Sequence, residues 1–164
     1  MIGETVVHPI PLFAEGEPKV LILGSFPSVR SRESGFFYGH PQNRFWRVIA
    51  ALTGDPAPKT VDYKKRLLAK NGIALWDVIG KCRITGSSDS SIRDDEPNDV
   101  AAFLKDHPVK AVFTNGNTAH RAYEKYILPL TGVKDIYLPS TSPANAAFGF
   151  EKLCDNWSVL KNYL

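Results

Sequence analysis

Two hydrophobic patterns alternate along the chain. Short, mainly apolar runs at Val20–Leu23, Ile73–Val78, Val109–Thr114 and Ile136–Leu138 each close on Gly, Pro, Ser or Asn. That is the pattern of strands buried on both faces. Between them the apolar residues take a helical spacing, in Phe45, Trp46, Val48, Ile49 and Leu52 and again in Phe150, Leu153, Cys154, Trp157 and Leu160, so each set predicts a helix with one core-facing stripe. A third helix is predicted over Tyr63 to Lys70, stopping at Asn71-Gly72, where glycine supplies the left-handed cap. A fourth runs from Pro97 to Lys105, ahead of His107-Pro108, and a fifth follows Asn115-Gly116. Strands alternating with helices predict an α/β fold with a parallel sheet. No linker or internal repeat interrupts the series, and the one biased tract, GSSDSS at Gly86 to Ser91, is short. One domain over residues 1–164 is expected.

In open parallel sheets, ligands bind beyond the carboxyl ends of the strands. The stretches LGSFPS, LWDV, FTNGN and LPSTSPAN should therefore converge on one site. Composition narrows what that site does. With 164 residues and 43% hydrophobic content the chain can bury a proper core, and a net charge of +3 permits a polyanionic partner without requiring one. Cys82 and Cys154 form neither a CxxC nor a zinc-type cluster, which favours a reduced, cytoplasmic protein without a structural metal. The start MIGETVVHPIP lacks the basic and apolar segments of a leader, and no stretch approaches a membrane span. GSFPS is neither a dinucleotide nor a phosphate-loop fingerprint and supplies no nucleophile elbow.

The order GSFPS, FFYGHPQNRFW, GIALWDV, FTNGN, STSPAN resembles the uracil-DNA glycosylase superfamily from about Lys19 onward, and within it the hypoxanthine-DNA (deoxyinosine) glycosylase branch. HPQNRFW is also similar to the matching segment of mismatch-specific uracil/thymine glycosylases. The resemblance implies a three-layer α/β/α fold around a four-stranded, mostly parallel sheet. It further implies a monomer without cofactor or metal, acting on double- or single-stranded DNA that carries a deaminated base, nucleoid-associated in a prokaryote. Much of the superfamily has Asp or Asn at the third position of the first corner, where this chain has Phe26, and many relatives have His where it has Ser140. It departs from the uracil pattern at both positions, in the way the hypoxanthine branch does.

Breaking an N-glycosidic bond requires a placed water, dispersal of charge on the leaving base and an extruded nucleotide, and none of these needs a strong base. Asn43 of HPQN is the residue that the resemblance implies as catalytic, orienting water through its side-chain carbonyl; it also fits the N-cap of the Phe45 helix. The expected base pocket consists of Gly24 and Ser25, with Phe26 as a stacking floor or a core residue, and Tyr38 as a wall. His40 and Asn115 are polar candidates that fit structural roles as well. Asp77 stands where uracil-specific relatives carry a base-reading Asn. Its carboxylate suits the N1–H of hypoxanthine, and it can equally cap the next loop. Ser28, Ser31, Ser140, Thr141 and Ser142 are expected to meet DNA phosphates, and Asn145 to meet DNA as the best polar member of the segment that follows the last corner. Arg30, Arg32, Arg44, Lys81 and Arg83 would add the electrostatic attraction, and Ala144 to Phe148 offer a wedge for the base stack. A uracil or mismatched-thymine glycosylase, or a DNA- or nucleoside-binding protein that has lost catalysis, remain the alternatives.

Overall fold

The computed structural model describes residues 3–164, so the first two residues of the MIGETVVHPIP start lie outside the described residues. Its centre is a parallel sheet with strand order β3-β2-β6-β7, in which β2 is Val20–Gly24, β3 Ile73–Asp77, β6 Ala111–Asn115 and β7 Ile136–Leu138. All five residues of β2 are buried, as expected for a central strand covered on both sides. The pleat divides its side chains between two cores. Val20 and Ile22 join one cluster with Phe45, Ile49, Leu68, Leu153 and Trp157, while Leu21 and Leu23 join another with Cys82, Val100, Phe103 and Tyr123.

Helices α2 (Phe45–Thr53), α3 (Val61–Asn71) and α7 (Phe150–Trp157) contribute the first cluster. Thr60 caps the start of α3 by accepting the Tyr63 N–H, and Gly72 ends it at φ 70°, the left-handed position that glycine adopts without strain. The terminal helix gives way to a 3₁₀ turn over Ser158–Tyr163. On the other face lie α4 (Val100–Asp106) and α5 (Asn117–Tyr126). The fourth helix starts later than predicted because Asp99 is its cap, accepting the Ala102 N–H at 3.0 Å. A short α1 (Val29–Ser34) and α6 (Leu128–Thr131) complete the helices.

A second sheet, absent from the sequence reading, pairs β1 (Glu4–Val7), β4 (Ile79–Ile84) and β5 (Arg93–Pro97) in the antiparallel order β1-β4-β5. The β5 sequence RDDEP is four charged residues and a proline, and is mostly exposed. Backbone pairing to β4 and loose ion pairs, Lys81–Glu96 at 3.6 Å and Arg83–Asp94 at 3.8 Å, hold it there. This sheet brings the end of β1 and the β4–β5 connection to the carboxyl end of the main sheet. Among the described residues no helix is long and apolar enough to cross a membrane.

Candidate active site

Beyond the carboxyl ends of β2, β3 and β6 opens a cleft of about 570 Å³, lined by all four expected corners, by the loop that carries Tyr38, His40 and Asn43, and by Ser87 to Ser90. At its base Gly24 lies beneath the Asp77 carboxylate and the Tyr38 hydroxyl, and a Cβ at this position would strike Asp77 Oδ1. Glycine is needed here so that two polar side chains can cross the strand end closely. Asp77 is buried, and its Oδ2 accepts a 2.7 Å hydrogen bond from His8 Nε2. The Ile10 N–H points at His8 Nδ1 (3.3 Å), and because an N–H only donates, the imidazole proton belongs on Nε2, where it serves Asp77. Oδ1 of Asp77 has no hydrogen-bond partner among the described residues.

The loop between α1 and α2 is tied down by Trp46, whose indole N–H is shared between the carbonyls of Phe37 (3.2 Å) and Tyr38 (3.1 Å). Tyr38 takes φ 53°, rare for a bulky residue, and its ring stacks on Phe45 with centroids 4.1 Å apart. Its hydroxyl is buried and has no hydrogen-bond partner among the described residues. Burial, followed by the nearby Asp77 charge, holds the phenol well above its usual range, so it is a donor without an acceptor at the cleft wall. Strained, unsatisfied groups of this kind collect at functional sites.

Asn43 is half-buried, and its amide is oriented unambiguously. Oδ1 accepts from the Phe45 N–H (2.9 Å) and from Thr141 Oγ1 (2.9 Å). The first donor is an N–H and can be met only by the oxygen, which leaves the NH₂ group to the cleft. This corrects one expectation: the side-chain carbonyl already serves as a cap and an inter-loop tie, so the group available to a ligand or water is the amide nitrogen. Asn115 clasps Thr141 on the other side, accepting its N–H (3.1 Å) and donating to its Oγ1 (3.0 Å). Gly116, not Asn115, is the cap of α5.

Several expected DNA contacts are occupied elsewhere. The Thr141 side chain is fully buried between Asn115 and Asn43, and Ser31 is buried with its hydroxyl accepting the Gly39 N–H (2.9 Å). Neither hydroxyl reaches solvent, because each fills a polar gap between loops. Asn145 turns its amide back to the Ser140 carbonyl (3.0 Å) and does not line the cleft. Ser28 caps α1 through the Ser31 N–H and stays half-buried at the cleft with Ser140 and Ser142, whose hydroxyls accept the Ser142 and Ala144 N–H groups. His40 lines the cleft, its Nδ1 accepting the Gln42 N–H at 3.1 Å, so Nε2 carries the proton. Arg44 is not a free surface charge. Its guanidinium clamps the carbonyls of Thr141, Ser142, Asn145 and Phe148, which fixes the turn bearing exposed Pro143, Ala144, Ala146 and Ala147. Lys81 and Arg83 face acidic partners across β4 and β5.

Phe26 lines the cleft but is only 8% exposed. His8 meets it edge-on at 5.8 Å, and the Arg32 guanidinium lies 5.8 Å from its ring centre. Ser25 donates from Oγ to Asp89 Oδ1 at 2.9 Å. Asp89 is exposed as a residue, but its carboxyl end is partly sheltered where it meets Ser25 at the cleft, and desolvation there pushes its pKa up from the usual carboxylate value; the Ser25 hydrogen bond works against this and the facing Asp77 adds to it. Among the described residues no group of three or more His, Cys, Asp or Glu side chains is placed to hold a metal ion. A second hollow, of about 470 Å³, lies beside α3, lined by Pro56, Pro58, Tyr63 and Leu67 and remote from the strand ends.

A model of the uracil DNA glycosylase superfamily matches residues 10–161. The chain belongs to that superfamily. Proteins named hypoxanthine DNA glycosylase from Methanosarcina barkeri and Methanosarcina acetivorans are each 36% identical to it, over 82% and 84% of this chain and 85% and 87% of theirs. A solution NMR structure from Methanosarcina acetivorans, assigned provisionally as a uracil DNA glycosylase, superposes with a TM-score of 0.81 at 32% identity, covering 99% of both chains. The parallel sheet flanked by helices is thus the superfamily's fold, as the motif order implies. Three features bear on the cleft without a mark in the sequence: Asp89 in its lining, His8 behind Asp77 and the Arg44 clamp behind the last corner. His8 and Asp77 are 69 residues apart and Arg44 lies about a hundred from its carbonyls, separations over which no local pattern carries information. GSSDSS did stand out, as a compositional tract only.

Proposed function

We propose that this protein is a DNA glycosylase that releases hypoxanthine from deoxyinosine-containing DNA by water attack at C1′. The observation that carries the reading is the convergence of Asn43 and Asp77 on one cleft, each with its orientation fixed by a neighbour. The 36%-identical relatives named for hypoxanthine support the choice of base.

The extruded nucleotide enters from the face where Ser28, His40 and Ser142 line the rim, and these groups, with backbone N–H groups, serve the flanking phosphates. Asp77 accepts the N1–H of hypoxanthine through Oδ1, while His8 holds the other oxygen. The Tyr38 hydroxyl, unpartnered and next to Gly24, donates to an acceptor of the base. The exposed part of Phe26 bounds the base plane. Asn43 holds the nucleophilic water by donating from its amide to the water oxygen. One lone pair of the oxygen is thereby fixed and the other left for C1′. An oxocarbenium-like sugar reacts readily with neutral water, so placement supplies most of what the step needs. The Ala144–Ala147 turn, held by Arg44, fills the gap left in the stack.

The test is a panel of matched duplexes bearing one deoxyinosine, deoxyuridine, mismatched thymine or deoxyxanthosine, incubated with the protein and then treated with alkali to cut at abasic sites. The proposal expects cleavage at deoxyinosine above all others. Preference for uracil or mismatched thymine would overturn the base assignment, and no cleavage with retained DNA binding would mark a protein that has lost catalysis.

A further inference from the structure

The β4–β5 connection is an addition to the main sheet's corners, and it delivers a carboxyl group into the cleft. Gly86 to Ser91 are docked at three points, one on the first corner and two on α1. Ser25 Oγ donates to Asp89 Oδ1 (2.9 Å), the Val29 N–H to Ser87 Oγ (2.9 Å), and the Arg32 guanidinium to the Gly86 carbonyl (2.7 Å). Within the loop, Ser91 Oγ donates to the Ser88 carbonyl at 2.7 Å. Asp89 is thereby held in the wall of the cleft that also contains Asp77 and Asn43.

The two carboxyl groups have different surroundings. Asp77 accepts an imidazole N–H, and its second oxygen is left as an acceptor. Asp89 accepts a hydrogen bond from the Ser25 hydroxyl, has Thr118 beside it and faces Asp77. A purine such as hypoxanthine has a complementary pair of edges. Its N1–H requires an acceptor, and its N7, on the five-membered ring, requires a donor. A pyrimidine has no atom that corresponds to N7.

Building on the glycosylase reading, we infer that Asp89 is a second catalytic residue, which in its carboxylic acid form protonates N7 of the leaving purine while Asp77 holds N1–H. As the C1′–N9 bond breaks, its electron pair stays with the base and the Asp89 proton passes to N7, so the base departs as neutral hypoxanthine. Water then forms the C1′–O bond, and the proton it loses restores Asp89. The sum is deoxyinosine plus water giving an abasic site plus hypoxanthine, with no other reactant. Placing unlike carboxyl groups so that one accepts and the other donates is a recurrent solution at glycosidic bonds. Although the residue is exposed, its carboxyl lines the cleft and is partly sheltered by Ser25, and the upward direction of its pKa, from desolvation first, favours the protonated form that this step consumes. The groups facing Asp89 are Ser25, Asp77, Tyr38, Cys82 and Thr118. Arg32, beside Phe26, is the nearby cation, and Asp95 is the next carboxylate.

The test uses the full chain and a deoxyinosine duplex under single-turnover conditions, from pH 5 to 9, with wild type, Asp89→Asn and Asp89→Ala. Asparagine keeps an oxygen for the Ser25 hydroxyl and an N–H for N7 but cannot transfer a proton. Asp89→Asn should bind the duplex within about threefold of wild type, lose roughly 10²-fold or more in excision rate, the usual scale of general acid catalysis, and lose the decline in rate that wild type shows as pH rises. Asp89→Ala should lose rate and affinity together. An Asp89→Asn protein that excises at the wild-type rate, or that is slowed equally at every pH while wild type keeps no such decline, would overturn the role of Asp89 and leave the glycosylase reading standing. A wild-type protein inert towards deoxyinosine would overturn both.

Discussion

Removing the Asn43 side chain should damage stability and chemistry by separate amounts that the structure lets one estimate. In Asn43→Ala, the Phe45 N–H at the start of α2 and the Thr141 hydroxyl each lose their 2.9 Å acceptor. Each such loss costs about 1 kcal/mol, so the two together come to about 2 kcal/mol. For a chain of this length that is a fall of about 4–8 °C in melting temperature. Excision should fall by about 10²-fold or more, because the donor assigned to hold the water is gone. In Asn43→Asp one carboxylate oxygen keeps both hydrogen bonds, so melting should stay near wild type. The second oxygen faces the water as an acceptor, and part of the activity should survive. Asn43→Ser can still cap α2 but presents nothing where the amide stood, so it should be folded and slow. Calorimetry and single-turnover excision on the same preparations separate the effects. An Asn43→Ala protein that melts with wild type would refute the hydrogen-bond network, and an Asn43→Ser enzyme at the wild-type rate would refute the role in placing water.

His8→Ala should leave the buried Asp77 carboxylate without its donor and lower unfolding stability in urea by about 2–3 kcal/mol, the scale of a hydrogen bond to a charged group; an unchanged midpoint would contradict the pairing. Phe26→Leu keeps apolar bulk in the second core cluster but removes the aromatic face, so it should weaken binding of deoxyinosine DNA by up to about 1–3 kcal/mol with little change in melting; equal affinity would make Phe26 a packing residue only. The raised pKa of Asp89 means that the folded state disfavours its ionised form. Its stabilising contribution is therefore present below the ordinary carboxylate pKa and is lost as pH rises through the folded value. Asp89→Asn, which does not titrate, should melt above wild type at neutral pH and lose that advantage in acid. With a net charge of only +3, duplex affinity should fall with salt at a shallow log–log slope, about −0.9 per phosphate contacted; complete insensitivity to salt would exclude a DNA substrate.

The main sheet was legible because its strands are buried on both faces. A run such as VLILG in β2 needs no alternation to be recognised, and the Gly, Ser and Asn residues that close the runs marked the site. The second sheet was illegible for the converse reason. β4 shows only a brief alternation, with Cys82 and Ile84 buried beside Lys81 and Arg83, and β5 is four charged residues and a proline held by pairing at the edge, so neither produces an apolar run or a sustained hydrophobic period. At the site, the corners could be placed from sequence, but the direction of each polar group could not. Ser31 and Thr141 sit in Ser-rich stretches that resemble exposed loops, and it is contacts from Gly39, Asn115 and Asn43 that bury them. Asn43 fitted both a cap and a ligand-facing residue, and the structure gives it the two at once, one on each end of the amide. The Arg44 clamp and the His8–Asp77 pair exist only after the chain has folded.

The most direct test of the central claim is to identify the base released. A duplex with a single deoxyinosine, incubated with the full-length protein and assayed by mass spectrometry without alkali or heat, should yield free hypoxanthine in amounts equal to the abasic sites formed. The matched deoxyuridine duplex should yield far less uracil. Free uracil in excess of hypoxanthine, or an intact deoxyinosine strand after prolonged incubation with excess folded protein, would contradict the account.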